Sequence, residues 1–103
     1  MRQFEVYPNP SQRSRHRIPF VVVLQSHLLA ASHTTLVAPM LPQDDRSAFT
    51  ETSVTLAFGD TEHIVLLAEM AAVDTRALQR PQGDLSAHED ALRRALDRLF
   101  TGF

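Results

Sequence analysis

The stretch that decides the fold, residues 52–67, reads TSVTLAFGDTEHIVLL. Its first half alternates apolar and polar residues and places Val54, Leu56 and Phe58 on one face. Such a period of two is typical of a strand that is buried on one side. Gly59-Asp60 follows, and residues 61–67 are again strand-like. Two strands that flank a Gly-Asp pair predict a β-hairpin, because glycine supplies the positive φ that a tight turn requires.

Three earlier segments also have strand patterns. Residues 3–7 alternate, residues 18–25 are rich in β-branched side chains, and residues 34–38 form a shorter apolar run. We expect Pro39 and Pro42 to end the last of these strands, because proline lacks the N–H that a strand donates. The chain before the hairpin is therefore predicted to be mainly β.

The C-terminal segment predicts an amphipathic helix. Ser86 and Glu89 have the spacing of a capping box, and Gly102 stands where a helix commonly ends. One apolar stripe follows the helical period, and its members are Leu92, Ala95, Leu96, Leu99 and Phe100. Together with the strands, this helix predicts one α+β domain over residues 1–103, mainly β and closed by a long C-terminal helix.

Composition narrows the classes of protein to consider. The 103 residues suggest one domain, and the absence of cysteine excludes disulfides and thiolate metal sites. The first residues lack the apolar stretch of a signal peptide, and the longest apolar run, residues 18–24, is far shorter than the roughly 20 residues of a membrane span. We therefore expect a cytoplasmic protein without membrane contact. The formal net charge of −2 gives no reason to expect nucleic-acid binding by the whole chain.

Few residues show a pattern of catalysis. The five histidines have no HExxH spacing, and the chain lacks the GxSxG, Walker and GxGxxG motifs, so no metal, nucleotide or hydrolase site is predicted. Arg13, Arg15 and Arg17 alternate beside His16, which fits either a phosphate-contacting patch or the solvated side of a segment. The terminal aromatic Phe103 is either a frayed end or an anchor for a partner.

The order and spacing of several segments resemble the CcdB family of toxin–antitoxin toxins over nearly the whole chain. No single motif is specific, and the resemblance depends on their succession. The segments are Gln3-Phe4-Glu5-Val6-Tyr7, Val23-Leu24-Gln25-Ser26, Leu28-Leu29, Val37-Ala38-Pro39-Met40, Phe58-Gly59-Asp60, Glu69-Met70-Ala71-Ala72-Val73, Asp84-Leu85-Ser86 and Leu99-Phe100 before Gly102.

This resemblance implies an SH3-like β-barrel or antiparallel sheet with a long C-terminal helix, assembled as a homodimer. It implies a toxin without enzymatic activity, metal or cofactor, which binds the A subunit of DNA gyrase and traps the complex in which DNA is cleaved. A CcdA-like antitoxin would neutralise it by wrapping a disordered segment over the dimer. Carried over by position, the gyrase-binding residues are Thr101, Gly102, Phe103, Gln25 and Ser26, and the antitoxin-binding residues are Leu28, Leu29, Asp97 and Phe103.

The sequence departs from the family pattern at two places. Thr101 stands where the family's tail typically has a tryptophan that stacks on gyrase, and the stretch from Leu41 to Ser53 is about three residues shorter than the pattern. Two alternatives to a gyrase poison therefore stay open. One is a CcdB-like binding module that has lost poisoning. The other is a ribonuclease like the MazF toxins, which share this type of barrel, with Arg13, Arg15 and Arg17 at its RNA site.

Overall fold

The structure, a computed structural model, describes residues 2–26, 32–43 and 52–102. The strands in this part of the chain form one antiparallel sheet. Within these ranges the strands follow the order β4-β5-β3-β2-β1-β7, and β6 pairs with β3. Their bounds are β1 Glu5–Pro8, β2 Phe20–Val23, β3 Thr34–Pro42, β4 Ser53–Phe58, β5 Thr61–Leu66, β6 Ala71–Asp74 and β7 Gly83–Asp84. The helix α1 spans Glu89–Thr101. This curled sheet with a C-terminal helix confirms the predicted α+β, SH3-like fold class.

The predicted hairpin is present as β4 and β5. The two strands pair from Ser53↔Leu66 to Phe58↔Thr61, and Gly59, with a φ of 63°, lies in the turn between them. Val54 and Leu56 are buried, whereas Phe58 is half-buried. The alternating pattern of the sequence thus predicted both the pairing and the buried face.

Strand β3 does not end at Pro39, and this prediction was wrong. Leu24 donates its N–H to the Leu36 carbonyl, so the alternation of an antiparallel ladder aims the nitrogen of Pro39 away from β2. On that opposite side, β6 pairs only as far as Val37 and β5 begins pairing at Met40. Pro39 therefore occupies a gap between two partner strands, where a missing N–H breaks no hydrogen bond.

The curled sheet buries side chains on both of its faces. The larger core lies under α1 and includes Phe4, Val6, Val22, Leu24, Ala38, Met40, Val54, Leu56, Val65, Leu67, Leu85, Leu92 and Ala95. A smaller cluster on the other face joins Tyr7, Val21, Val23 and Val37, with Val73 and Leu78 packed against it. Burial of both faces explains why the central strands have nearly continuous apolar runs.

The start of the C-terminal helix differs from the predicted capping box. Asp84 accepts hydrogen bonds from the N–H and the hydroxyl of Ser86, and Ser86–His88 forms a 3₁₀ turn before α1 begins at Glu89. No side chain caps either segment in the way the spacing predicted. The hydrogen bonds from Ser86 lower the pKa of the Asp84 carboxyl.

Among the described residues, no helix has the length and apolar character to cross a membrane.

Gly83, in β7, lies against the aromatic ring of Phe58. A Cβ at this position would lie 3.0 Å from Cε1 of Phe58, and the φ of 153° is one that residues with side chains rarely adopt. Phe58 has little freedom to yield because it packs edge-on against Phe20 with ring centroids 5.3 Å apart. We expect Gly83→Ala to lower the free energy of unfolding by about 1–3 kcal/mol, measured by urea denaturation. Gly59→Ala shows the cost of a positive φ alone, because Gly59 has a φ of 63° but its Cβ would meet no atom within 4 Å. A loss from Gly83→Ala that is no smaller in a Phe58→Leu background would contradict the contact with Phe58.

Tyr7 should make folding stability depend on pH in the alkaline range. Burial of the phenol, together with its hydrogen bond to Glu5, raises the pKa of Tyr7 from 10.0 to about 12. Between these values the unfolded chain loses the proton and the folded chain retains it, so the free energy of unfolding falls as pH rises, by up to about 1.4 kcal/mol per pH unit. Tyr7 is the only tyrosine, so phenolate absorbance reports its titration directly. A slope that persists unchanged in Tyr7→Phe would contradict this assignment.

Candidate functional site

The C-terminal end of α1 brings together three of the predicted site residues. Gly102, with a left-handed φ of 80°, ends the helix and donates its N–H to the Arg98 carbonyl at 3.0 Å. The preceding residue, Thr101, donates its hydroxyl to the Asp97 carbonyl at 2.6 Å. Thr101, Gly102 and Asp97 are all exposed. The end of the helix therefore presents Thr101, Gly102 and Asp97 on one accessible surface.

Phe100 lies on this surface and not in the core, contrary to the apolar stripe of the sequence. Its exposed fraction is 69%, whereas Leu92 and Ala95 are fully buried. At 3.6 residues per turn, Phe100 lies about 80° around the helix axis from Leu92, at the margin of the buried face. The half-buried Leu96 and Leu99 mark the gradual end of that face. Sequence periodicity could not separate the edge of the stripe from its centre, so it missed this exposed aromatic.

Gln25 and Ser26 lie on a different element, just after β2. The Gln25 side chain accepts a hydrogen bond from the Leu36 N–H at 2.9 Å and donates to the Thr34 carbonyl at 3.4 Å. Its amide thereby extends the pairing of β2 with β3, which gives Gln25 a structural role in addition to the predicted contact. Both Gln25 and Ser26 are half-buried.

Three of the predicted contact residues fall outside the described ranges. Leu28, Leu29 and Phe103 do not belong to residues 2–26, 32–43 and 52–102. Most of the stretch from Leu41 to Ser53 also lies outside these ranges. Their predicted roles therefore stay predictions.

The three alternating arginines lie on the long loop between β1 and β2. Arg13, Arg15 and Arg17 are all exposed, and so is His16. The loop belongs to a different element from the end of α1. Within the described residues, no group of three or more His, Cys, Asp or Glu side chains is placed to hold a metal ion.

Comparison with known proteins gives a family and a fold. Residues 3–102 match the family model described as CcdB protein. No curated protein matches the chain. A structure of the Mycobacterium tuberculosis toxin MazF-mt6 has a TM-score of 0.70 at 17% identity, covering 96% of each chain.

Two further solved structures share the fold. One, an endoribonuclease from a mycobacterial species, has a TM-score of 0.69 at 12% identity over 94% of this chain and 88% of its own. The other, described as an Mtb toxin, has a TM-score of 0.67 at 20% identity over 82% of this chain and 97% of its own. At these identities the likeness establishes the fold alone.

Proposed function

Because this chain belongs to the CcdB family of toxin–antitoxin toxins, we propose that it binds the A subunit of DNA gyrase and traps the cleaved-DNA complex. The observation that carries this proposal is the family match over residues 3–102, nearly the full length of the chain. The proposed action is binding and not catalysis, and it requires no metal or cofactor. The toxin would bind the gyrase complex with cleaved DNA more tightly than the other states of gyrase. A ligand with such a preference shifts its target toward the state that it binds best.

The end of α1 is the surface that we assign to gyrase. Phe100, Thr101 and Gly102 form an exposed helix terminus, and Phe103 continues it in the sequence. Thr101 has no π face to replace the tryptophan of the family pattern, and its hydroxyl is already bonded to the Asp97 carbonyl. Phe100 supplies an exposed ring one residue earlier. Since aromatic side chains dominate binding hot spots, we assign the anchoring role to Phe100 together with Phe103.

We further propose a homodimer and a CcdA-like antitoxin. The family match supports both proposals, and the exposed side chains of Leu36 and Phe100 are available for contact with another protein. Asp97 lies beside the gyrase surface on α1, so an antitoxin segment that contacts Asp97 would also cover Thr101. Neutralisation would then follow from direct competition for one surface.

A truncation tests the assignment of the surface. Deleting Gly102 and Phe103 removes the end of the proposed anchor while leaving the buried face of α1 intact. We expect binding to immobilised gyrase A subunit to fall by at least about tenfold, the effect of a 1.4 kcal/mol loss. Arg94→Ala, an exposed change elsewhere on α1, is the control and should bind normally. Full-strength binding by the truncated chain would place the gyrase surface elsewhere.

RNA cleavage is the second candidate function, because the fold is similar to a mycobacterial endoribonuclease. It would use Arg13, Arg15 and Arg17, which the structure places on an accessible loop. It predicts that the purified chain cuts RNA and that Arg13→Gln/Arg17→Gln abolishes cutting. RNA that stays intact during incubation with native protein would remove this candidate and leave the gyrase proposal unaffected.

A further inference from the structure

The residues assigned to gyrase lie on two different elements of the fold. Thr101 and Gly102 are at the end of α1. Gln25 and Ser26 directly follow β2. The buried side chain of Leu92 holds α1 against the sheet, but apolar packing has no direction of its own and leaves the helix free to shift or turn by small amounts. The spacing of the two parts therefore depends on directional contacts between α1 and the end of β2.

A tight turn before β1 supplies such a contact. The Glu5 N–H donates to the Arg2 carbonyl at 3.2 Å and closes the turn, in which Phe4 has a φ of 68°. A positive φ is uncommon for a bulky residue. Here it is held by burial of the Phe4 ring and by the hydrogen bond from the Phe4 N–H to the Val23 carbonyl at 2.7 Å. The other central residue of this turn is Gln3.

The side chain of Gln3 joins α1 to the end of β2. Its Nε2 donates to the Leu24 carbonyl at 2.9 Å, and its Oε1 accepts from Nη2 of Arg93 at 3.1 Å. Leu24 is the residue immediately before Gln25, and Arg93 belongs to α1. One amide thus connects the helix to the segment that carries Gln25 and Ser26. We call these two hydrogen bonds the Gln3 bridge.

Arg93 is held in place on the helix side of the Gln3 bridge. Its guanidinium carbon lies 5.7 Å from the centroid of the Phe4 ring, within the range of a cation–π contact. Its Nη2 is also 3.7 Å from Oε2 of Glu89, one turn earlier on α1. The next residue, Arg94, instead donates its Nε–H to the Asp90 carbonyl at 3.3 Å. Arg93 therefore reaches across to the sheet, whereas this hydrogen bond of Arg94 stays within α1.

We propose that Arg93 is a positioning residue for gyrase binding, which acts through Gln3 to fix the end of α1 relative to Gln25 and Ser26. A surface built on two elements loses affinity when their spacing varies, because the elements must then be ordered on binding. The Gln3 bridge orders them in the free chain. This inference rests on the proposed binding to gyrase, and it adds a residue that does not itself touch the target.

A double-mutant cycle tests whether Arg93 acts through Gln3. Binding to immobilised gyrase A subunit is measured for Arg93→Met, Gln3→Met and the double variant, because methionine retains an unbranched side chain without an N–H donor. We expect each single change to weaken binding about three- to tenfold and the double change to weaken it no further, the non-additivity of residues in contact. A further loss on adding Gln3→Met to Arg93→Met would make Gln3 a direct contact and overturn the proposal.

Arg94→Met is the matched control for Arg93→Met. It removes the same charge from the next position on α1 and should bind gyrase like the native chain. An equal loss of affinity in Arg93→Met and Arg94→Met would show an effect of charge alone and would overturn the proposal.

A second background separates positioning from general stability. Arg93→Met is compared in the full chain and in the chain that lacks Gly102 and Phe103, after urea denaturation has shown that all four proteins are folded under the binding conditions. If Arg93 positions the end of α1, its replacement should cost clearly less affinity once that end is removed. A purely structural role would lower the affinity by the same factor in both chains, and that result would overturn the proposal.

Nuclear magnetic resonance of the free chain tests the Gln3 bridge without gyrase. The side-chain amide signals of Gln3 should shift in Arg93→Met and stay in place in Arg94→Met. If the native chain binds the gyrase subunit but these signals ignore Arg93→Met, the bridge is absent and this inference alone is wrong. If the signals shift as expected but the native chain does not bind the gyrase subunit, the proposed function is wrong and the positioning role falls with it.

Discussion

Replacing Phe100 by alanine should weaken binding to the gyrase A subunit by about 30- to 1000-fold, the effect of losing 2–4 kcal/mol at an aromatic hot spot. The ring is 69% exposed, so its removal leaves no cavity in the folded chain and should cost little folding stability. The ring is instead expected to be buried on binding, in the role that the tail tryptophan has in the family pattern. Surface plasmon resonance on immobilised gyrase A subunit measures the change.

Two controls distinguish an anchor from a dimer contact. Phe100→Tyr retains the ring and should retain most of the affinity, whereas Phe100→Ala should not. Sedimentation velocity of both variants shows whether the proposed homodimer persists. If Phe100→Ala binds gyrase as tightly as the native chain, the ring is not the anchor. If Phe100→Ala weakens the dimer, and the fractions that are still dimeric bind gyrase normally, then Phe100 is a subunit contact. Its assignment as the anchor would then be wrong.

Leu92→Ala should produce a large loss of folding stability, about 2–5 kcal/mol. Leu92 is fully buried and holds α1 in the core beneath the sheet. Truncation removes apolar burial and leaves a cavity that the surrounding side chains fill only in part. Because domains of this size have roughly 5–15 kcal/mol in total, the change removes a substantial share of the stability. Chemical denaturation with detection by circular dichroism measures it.

The control for this prediction is Leu96→Ala on the same helix. Leu96 is half-buried and packs at the margin of the same core, so its truncation should cost clearly less. Equal losses would show that the helix is held evenly along its length, contrary to the gradient of burial from Leu92 to Phe100. Gyrase binding by Leu92→Ala should be measured at low temperature, where the remaining stability keeps the binding surface of α1 folded.

Much of this fold could be predicted from local patterns, because a hairpin and an amphipathic helix are determined by residues that are close together in the sequence. The alternation of Val54 and Leu56 and the pair Gly59-Asp60 predicted the β4–β5 hairpin, and the helical stripe predicted α1. The error at Pro39 has a different origin. Whether a missing N–H matters depends on which strand lies beside it, and the gap between β5 and β6 is a property of the sheet as a whole.

The candidate site was predicted less completely than the fold. The positions of Thr101, Gly102 and Asp97 followed from the family resemblance, and the structure shows them together at the exposed end of α1. The exposure of Phe100 could not be predicted from periodicity, because a residue at the margin of a stripe is buried or exposed according to how far the sheet extends beneath it. Likewise, the side-chain bonds of Gln25 to β3 depend on a pairing between distant segments.

A DNA-cleavage assay tests the gyrase proposal most directly. Supercoiled plasmid is incubated with gyrase and the native chain, beside a reaction that contains Thr101→Trp, and the products are denatured and separated by size. We expect linear, cleaved DNA with the native chain, because Phe100 and Phe103 provide the anchor. We expect more cleavage with Thr101→Trp, which adds a stacking ring at an exposed position. Intact DNA in the reaction with the native chain would contradict the proposal. If DNA were then cleaved only in the reaction with Thr101→Trp, the native chain would be a CcdB-like scaffold disarmed at one residue. If DNA stayed intact in both reactions, gyrase would be excluded as the target.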